Sequence, residues 1–295
     1  ELALYGLKQG EEPVVWSPDA RRIAFIGFGD GQADLYVAAP DGETRRVTNN
    51  VDREANPVWS LDSAALAWEV IDESVERHDV EVLVAGAGAA PRRIDMLPIV
   101  RAMGWPASVP VKLPKGITWV DDTRLALYPQ SEGSSGGIWL YDSSGDSLTR
   151  LFDPAITDVV YSAAAKQFAV ASKEPSGQLV VVDLEGEQRT LVSSSAYGPL
   201  WSPDGKLVSW VEGEVASAAG WRIHVVRPDG SDDRVLTEWW PILQSEPPVP
   251  GPRAKRTWLD GGRLLAFTRA GRDYGAAERA GVMAGAKAGD DIENM

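Results

Sequence analysis

Along the chain, short apolar runs alternate with polar, Gly- and Pro-rich stretches, and one phrase returns at the head of each cycle. It reads Val15-Trp16-Ser17-Pro18-Asp19, then Val58-Trp59-Ser60-Leu61-Asp62, then Leu200-Trp201-Ser202-Pro203-Asp204. Looser copies are Thr118-Trp119-Val120-Asp121, Val160-Tyr161-Ser162 and Thr257-Trp258-Leu259-Asp260. The aromatic anchors are 43, 60, 42, 40 and 57 residues apart. Each is followed by a turn and an apolar run such as Ile23-Ala24-Phe25 or Phe168-Ala169-Val170. A second run follows a polar loop, as in Asp34-Leu35-Tyr36-Val37, and a Gly turn such as Asp41-Gly42 leads to a last short strand. Four short strands per roughly 40 residues, joined by hairpin turns, describe a propeller blade.

Helical periodicity is nearly absent, which argues against α-solenoids of similar period. Six copies therefore predict an all-β chain: one six-bladed β-propeller of four-stranded blades over residues 1–288. The blades fall near 14–49, 57–95, 117–152, 158–193, 199–237 and 256–284. Residues 2–7 are expected to add the outermost strand of the last blade, closing the ring and removing open sheet edges. Residues 289–295 read as a flexible C-terminal tail.

Composition narrows the function. The formal net charge of −14 argues against nucleic acid, whose phosphates need clustered Lys and Arg. No run of apolar residues is long enough to span a membrane. The first residue is Glu1 rather than Met, which suggests a trimmed mature form. With no cysteine there is no disulfide, thiolate nucleophile or Cys-held metal. Two histidines, His78 and His224, do not supply a His-built zinc site, and neither metal nor cofactor is expected.

Several strings imitate catalytic motifs. Gly133-Ser134-Ser135-Gly136-Gly137 fits the nucleophile elbow, yet the repeat register places it in a hairpin loop rather than a strand–turn–helix. Val84-Ala85-Gly86-Ala87-Gly88 lacks the third glycine and the helix of a dinucleotide fingerprint. The acidic run from Asp72 to Asp79 reads as a solvated loop tip without EF-hand spacing, and carries His78. No catalytic residue is assigned. The anchor aromatics, with Trp68 and Trp210 at a second repeated position, read as packing between blades.

The phrase Trp201-Ser202-Pro203-Asp204-Gly205, followed by an apolar strand and the Pro228-Asp229-Gly230 hairpin, resembles the TolB-type propeller repeat, which is similar to WD repeats and to the propellers of prolyl-oligopeptidase-like peptidases. The resemblance covers nearly the whole chain. It implies a non-catalytic interaction module acting outside the cytoplasm, periplasmic or at the cell surface. Free-standing, lipid-anchored and membrane-sensor forms all stay open.

Two anchor steps exceed the rest, and the extra segments, Met96–Lys115 and Glu238–Arg256, are apolar and Pro-rich. They precede blades three and six, so they stand on one face at opposite points of the ring. Trp105, Trp239 and Trp240 belong to no repeated core position. Such aromatics in stiff loops suit an interface; alternatively, the segments fold down and plug the channel. Starts of inner strands on that face add Asp52, Arg53, Glu54, Lys115, Asp158, Tyr197, Arg253, Lys255 and Arg256. Arg253, Lys255 and Arg256 form a basic spot able to meet a carboxylate or phosphate.

The expected function is recognition of a protein or peptide partner on this face by a monomeric propeller. One alternative is a small-molecule or carbohydrate binder that stacks rings on Trp105, Trp239 and Trp240. The other is a propeller lyase or hydrolase with its site at the channel mouth.

Overall fold

In the computed structural model, the described residues are 3–4, 14–29, 32–72, 77–84, 90–106, 108–113, 116–131, 134–153, 155–172, 177–193, 196–213, 221–236, 254–259, 264–269 and 280–284. The chain divides into two compact units, Glu1–Asp153 and Pro154–Met295.

The first unit holds three antiparallel sheets. The first consists of β1 (Ala3–Leu4), β2 (Val14–Trp16), β3 (Ile23–Gly29), β4 (Gln32–Ala38) and β5 (Thr44–Arg46). The second runs in sequence order through β6 (Arg53–Trp59), β7 (Ala65–Asp72), β8 (Arg77–Val84) and β9 (Arg92–Ile94). After helix α1 (Leu97–Ala102) comes the third, made of β10 (Ile117–Trp119), β11 (Arg124–Leu127), β14 (Ile138–Asp142) and β15 (Ser147–Phe152). A small hairpin, β12 (Gln130–Ser131) with β13 (Ser134–Ser135), joins its middle strands.

The second unit repeats the plan. Its fourth sheet is β16 (Ile156–Ser162), β17 (Gln167–Ser172), β18 (Leu179–Asp183) and β19 (Gln188–Val192). The fifth is β20 (Ala196–Trp201), β21 (Val208–Gly213), β22 (Trp221–Val226) and β23 (Arg234–Val235). The last is β24 (Ala254–Leu259), β25 (Leu264–Arg269) and β26 (Ala280–Ala284).

The repeated phrase is a turn-closing device. In the first copy the Ser17 hydroxyl donates to Asp19 Oδ1 at 2.6 Å and accepts from the Arg22 amide at 2.9 Å, while Asp19 accepts from the Arg21 amide. Ser60 with Asp62, and Ser202 with Asp204, repeat these bonds onto Ala65 and Leu207. Each Ser is buried. Together the pair satisfies backbone donors at a turn that no ladder reaches. The residue after the Asp is left-handed: Ala20 at φ 56°, Ser63 at 63° and Gly205 at 69°. Only glycine adopts that conformation without a steric cost.

The anchors join sheet to sheet. Trp59 Nε1 donates to the Val15 carbonyl (3.3 Å), Trp119 to Val58 (3.1 Å), Trp201 to Val160 (3.2 Å) and Trp258 to Leu200 (3.4 Å). In every case the acceptor belongs to the residue just before the previous sheet's anchor. The indole thus fills the wedge and satisfies its own polar atom. Trp16 has no preceding sheet in its unit and is 61% exposed, a departure from the core role expected for every anchor.

Two further expectations are corrected. β1 does not extend the last sheet: Ala3 and Leu4 pair with Phe28 and Gly27 of β3, so the N-terminal strand belongs to the first sheet. The reason is that β2 covers only Ile23–Phe25 and leaves the rest of that edge open. The first inserted segment contains a helix, α1, that strand periodicity did not suggest; Pro98 in its first turn is pre-set for helix and needs no N–H there. No helix among the described residues is long and apolar enough to cross a membrane.

Candidate functional site

The inner strands carry a repeated irregularity just ahead of their anchors. Pairing of β6 with β7 slips between Ala55 and Val58, and pairing of β20 with β21 slips between Tyr197 and Leu200. The slipped residues are Asn56-Pro57 and Gly198-Pro199, with Asn56 and Gly198 left-handed at φ 49° and 52°. Proline has no N–H to contribute to a ladder, so a bulge is where an inner strand tolerates it. Gly116, at φ 71°, holds the same position before Trp119, Asp158 the same position before Tyr161, and Lys255 before Trp258. β16 slips next to Asp158, whereas β24 pairs evenly through Lys255. The repeat thus presents four kinds of residue (Asn, Gly twice, Asp and Lys) at the third position before its anchors.

The second sheet gathers polar groups around its bulge. Glu69, almost wholly buried, accepts from Asn56 Nδ2 through Oε1 (2.9 Å) and pairs through Oε2 with His78 Nδ1 (2.9 Å). The His78 amide donates to the Val111 carbonyl of the first insertion, at 2.8 Å. At the start of β6, Asp52 pairs with Arg93 at 2.9 Å, and Arg93 also meets Glu81 at 3.1 Å. Glu54 is 2% exposed, and neither of its oxygens has a partner within hydrogen-bonding distance. Burial, with the nearby charge of Asp34, pushes its carboxyl up to about 7 against the pull of Thr48 and Asn50. Asp34 itself is buried and bonded to Arg46 and Gln32.

In the fifth sheet His224 is buried, stacked on Trp210 (centroids 4.1 Å apart), with Nε2 3.1 Å from Glu212 and Nδ1 3.2 Å from Asp233. Glu212 is tied in turn to Arg222. This histidine clamps β21 to β22 and the turn that follows. Among the described residues, no group of three or more His, Cys, Asp or Glu is arranged to hold a metal ion.

The residues singled out from sequence fall into distinct settings. Asp52, Arg53 and Glu54 lie together at the start of β6; Asp52 and Arg53 are half-buried, Asp52 in an ion pair with Arg93, whereas Glu54 is interior. Asp158 and Tyr197 occupy the bulge regions of the fourth and fifth sheets and are half-buried. Trp105 is half-buried against the core of the second and third sheets, its amide donating to the Val100 carbonyl at 3.0 Å. Around it Met96, Ile99, Val100, Val111 and Leu113 are buried in that core. The first insertion is therefore built between sheets. Lys112 joins the β12 hairpin through a two-way backbone pair with Gln130. Lys255 and Arg256 lie in β24, while Lys115, Trp239, Trp240 and Arg253 lie outside the described residues.

Two readings need amendment. His78, placed by sequence on an acidic loop, is in β8 and bonded to a buried carboxylate. The glycines of the elbow-like string serve packing: a Cβ on Gly137 would collide with the Phe152 carbonyl oxygen, and one on Gly136 would sit 2.9 Å from Pro129. What sequence reasoning missed was Asn56; its Asn-Pro pair, echoed by Gly198-Pro199, was the available signal.

No model of a known protein family matches the chain, and no curated protein matches it either. Solved structures do. Dipeptidyl peptidase 4 of Porphyromonas gingivalis aligns with 92% of this chain and 43% of its own, at TM-score 0.66 and 13% identity. An oligogalacturonate lyase from Vibrio parahaemolyticus aligns with 92% of this chain and 74% of its own, at TM-score 0.55 and 12% identity. TolB from Acinetobacter baumannii aligns over 92% of this chain and 60% of its own, at TM-score 0.44 and 16% identity. Fold and comparisons together define a β-propeller protein. The chain spans well under two thirds of the peptidase and somewhat under two thirds of TolB.

Proposed function

We propose that this chain is a non-catalytic recognition propeller that acts outside the cytoplasm and binds a protein or peptide partner. The observation that supports it is the non-repeating set at a repeated place. Trp, Ser and Asp of the phrase are taken up in sheet-to-sheet bonds and turn closure. The third residue before the five later anchors instead varies as Asn56, Gly116, Asp158, Gly198 and Lys255. Varied chemistry on a rigid, regular scaffold is what a recognition surface requires. The inserted segments, with Trp239, Trp240, Arg253 and Arg256, extend the same proposed surface.

Selection of a displayed peptide library on the immobilised chain tests this reading. Binders whose capture is lost in Trp239→Ala/Trp240→Ala or Asp158→Lys variants, with melting unchanged, support it. Failure to enrich any peptide, or enrichment indifferent to all these substitutions, refutes it.

We also propose that the six sheets close into one ring, as the six copies of the phrase imply. In that case Trp16→Ala destabilises about as much as Trp59→Ala. A negligible cost at Trp16 argues against closure.

A second reading is favoured by the likeness to the oligogalacturonate lyase: this propeller too would act on an anionic sugar chain. The likeness is one of fold, which many activities share. Growth of ultraviolet absorbance from an unsaturated product, on incubation with oligogalacturonate, would replace the first reading with this one.

A further inference from the structure

The inner edge of the first sheet is assembled from two pieces. β3 is seven residues long, Ile23–Gly29, but β2 pairs only with Ile23, Ala24 and Phe25. Beyond them, Gly27 and Phe28 pair with Leu4 and Ala3. In the second, fourth and fifth sheets one strand covers the corresponding edge: Arg53–Trp59, Ile156–Ser162 and Ala196–Trp201. The third sheet shares the short inner strand, and five residues ahead of it Lys112 pairs with Gln130 of the adjoining β12 hairpin. In both places residues that precede the short inner strand pair beyond its end.

The two fillers differ in how they are held. Lys112 lies between Val111 and Leu113, both buried in the core of the second and third sheets. Ala3–Leu4 contributes only two paired residues, and Phe28 opposite it stays 41% exposed. A ladder that short is marginal by itself. An unpaired strand edge is also a ready template for another chain, because its main-chain groups bind any extended peptide that presents matching N–H and C=O groups.

We propose that the edge of β3 at Gly27–Phe28 is a strand-acceptor site for an extended peptide, with Ala3–Leu4 as its resident intramolecular occupant. The ligand is a peptide that runs antiparallel to β3, free of proline at the paired positions, with an apolar side chain to cover Phe28. Backbone pairing supplies the affinity, and the resident segment competes with the incoming strand. The site stands whether or not the inserted segments bind anything.

The probe is a fluorescein-labelled peptide of residues 1–8, followed by fluorescence anisotropy on the full chain and on an Ala3→Pro/Leu4→Pro variant. Proline removes the ladder N–H groups of the resident strand. With the resident strand disabled, peptide affinity is expected to rise roughly tenfold or more, the scale of one or two net hydrogen bonds. Proline at the same two positions of the peptide should abolish binding. Hydrogen exchange should show the segment 26–29 losing protection in the variant while 23–25 keeps it. An Ala3→Gly/Leu4→Gly variant, which weakens the strand without proline, should fall between. Equal affinity for wild type and both variants, or binding indifferent to proline in the peptide, overturns the proposal. So does unchanged exchange at 26–29.

Discussion

Glu54 makes the stability of this protein depend on pH in a direction opposite to that of most carboxylates. Its side chain is interior, neither oxygen finds a hydrogen-bond partner, and the buried Asp34 carboxylate stands close enough to repel it. Burial comes first among the causes that raise its carboxyl from 4.5 to about 7. The folded state therefore holds a proton that the unfolded chain has released over that interval. Stability from this group is complete below about pH 4.5 and is lost as pH rises through about 7. At about 1.4 kcal/mol per unit, the loss amounts to about 3 kcal/mol. Glu54→Gln keeps the shape of the neutral acid and cannot ionise. Urea or thermal unfolding of wild type and variant across that range isolates the effect, since all other titrations cancel in the difference. The variant should gain on wild type as pH rises and lead by up to about 3 kcal/mol at about pH 8. In a protein of this size that is a gain of several degrees in Tm. Parallel curves at all pH values would refute the reasoning.

Other perturbations probe the repeat. Ser202→Ala removes a buried hydroxyl that serves both Asp204 and the Leu207 amide, and should cost about 1–2 kcal/mol in denaturant melts. Ala20→Gly relieves a left-handed alanine in an exposed turn and should stabilise by about 1 kcal/mol, visible as a raised Tm. Gly137→Ala meets the Phe152 carbonyl and should destabilise by several times that amount, or abolish soluble expression. Trp105→Ala should cost about 2 kcal/mol, because its ring covers the core of the second and third sheets; a neutral result would reassign it to a free surface.

The repeat was legible because its signals are local. A Trp followed by Ser and Asp closes its own turn, and an apolar run two strands wide needs no distant partner to be recognised as a hairpin. Glu54 and Asp52 looked alike, as acids at the start of an inner strand. Only packing separated them, leaving one paired at the rim and the other buried beside Asp34. His78 likewise took its meaning from Glu69, nine positions away, which it meets from β8 rather than from a loop. Asn56 carried a readable hint in the proline that follows it, but its bond to Glu69 depends on the register of β6 against β7.

The periodic placement of anchors, turns and alternating apolar residues determined the all-β class, the strands and the number of copies, since these rest on interactions within about forty residues. The tertiary structure decided the rest. It seated the first insertion between two sheets, drew Ala3–Leu4 to the vacant edge of β3, and exposed Trp16 while burying Trp59, Trp119 and Trp201. Each of those outcomes depends on which edge or face lies unfilled when distant segments meet, and no local pattern encodes that.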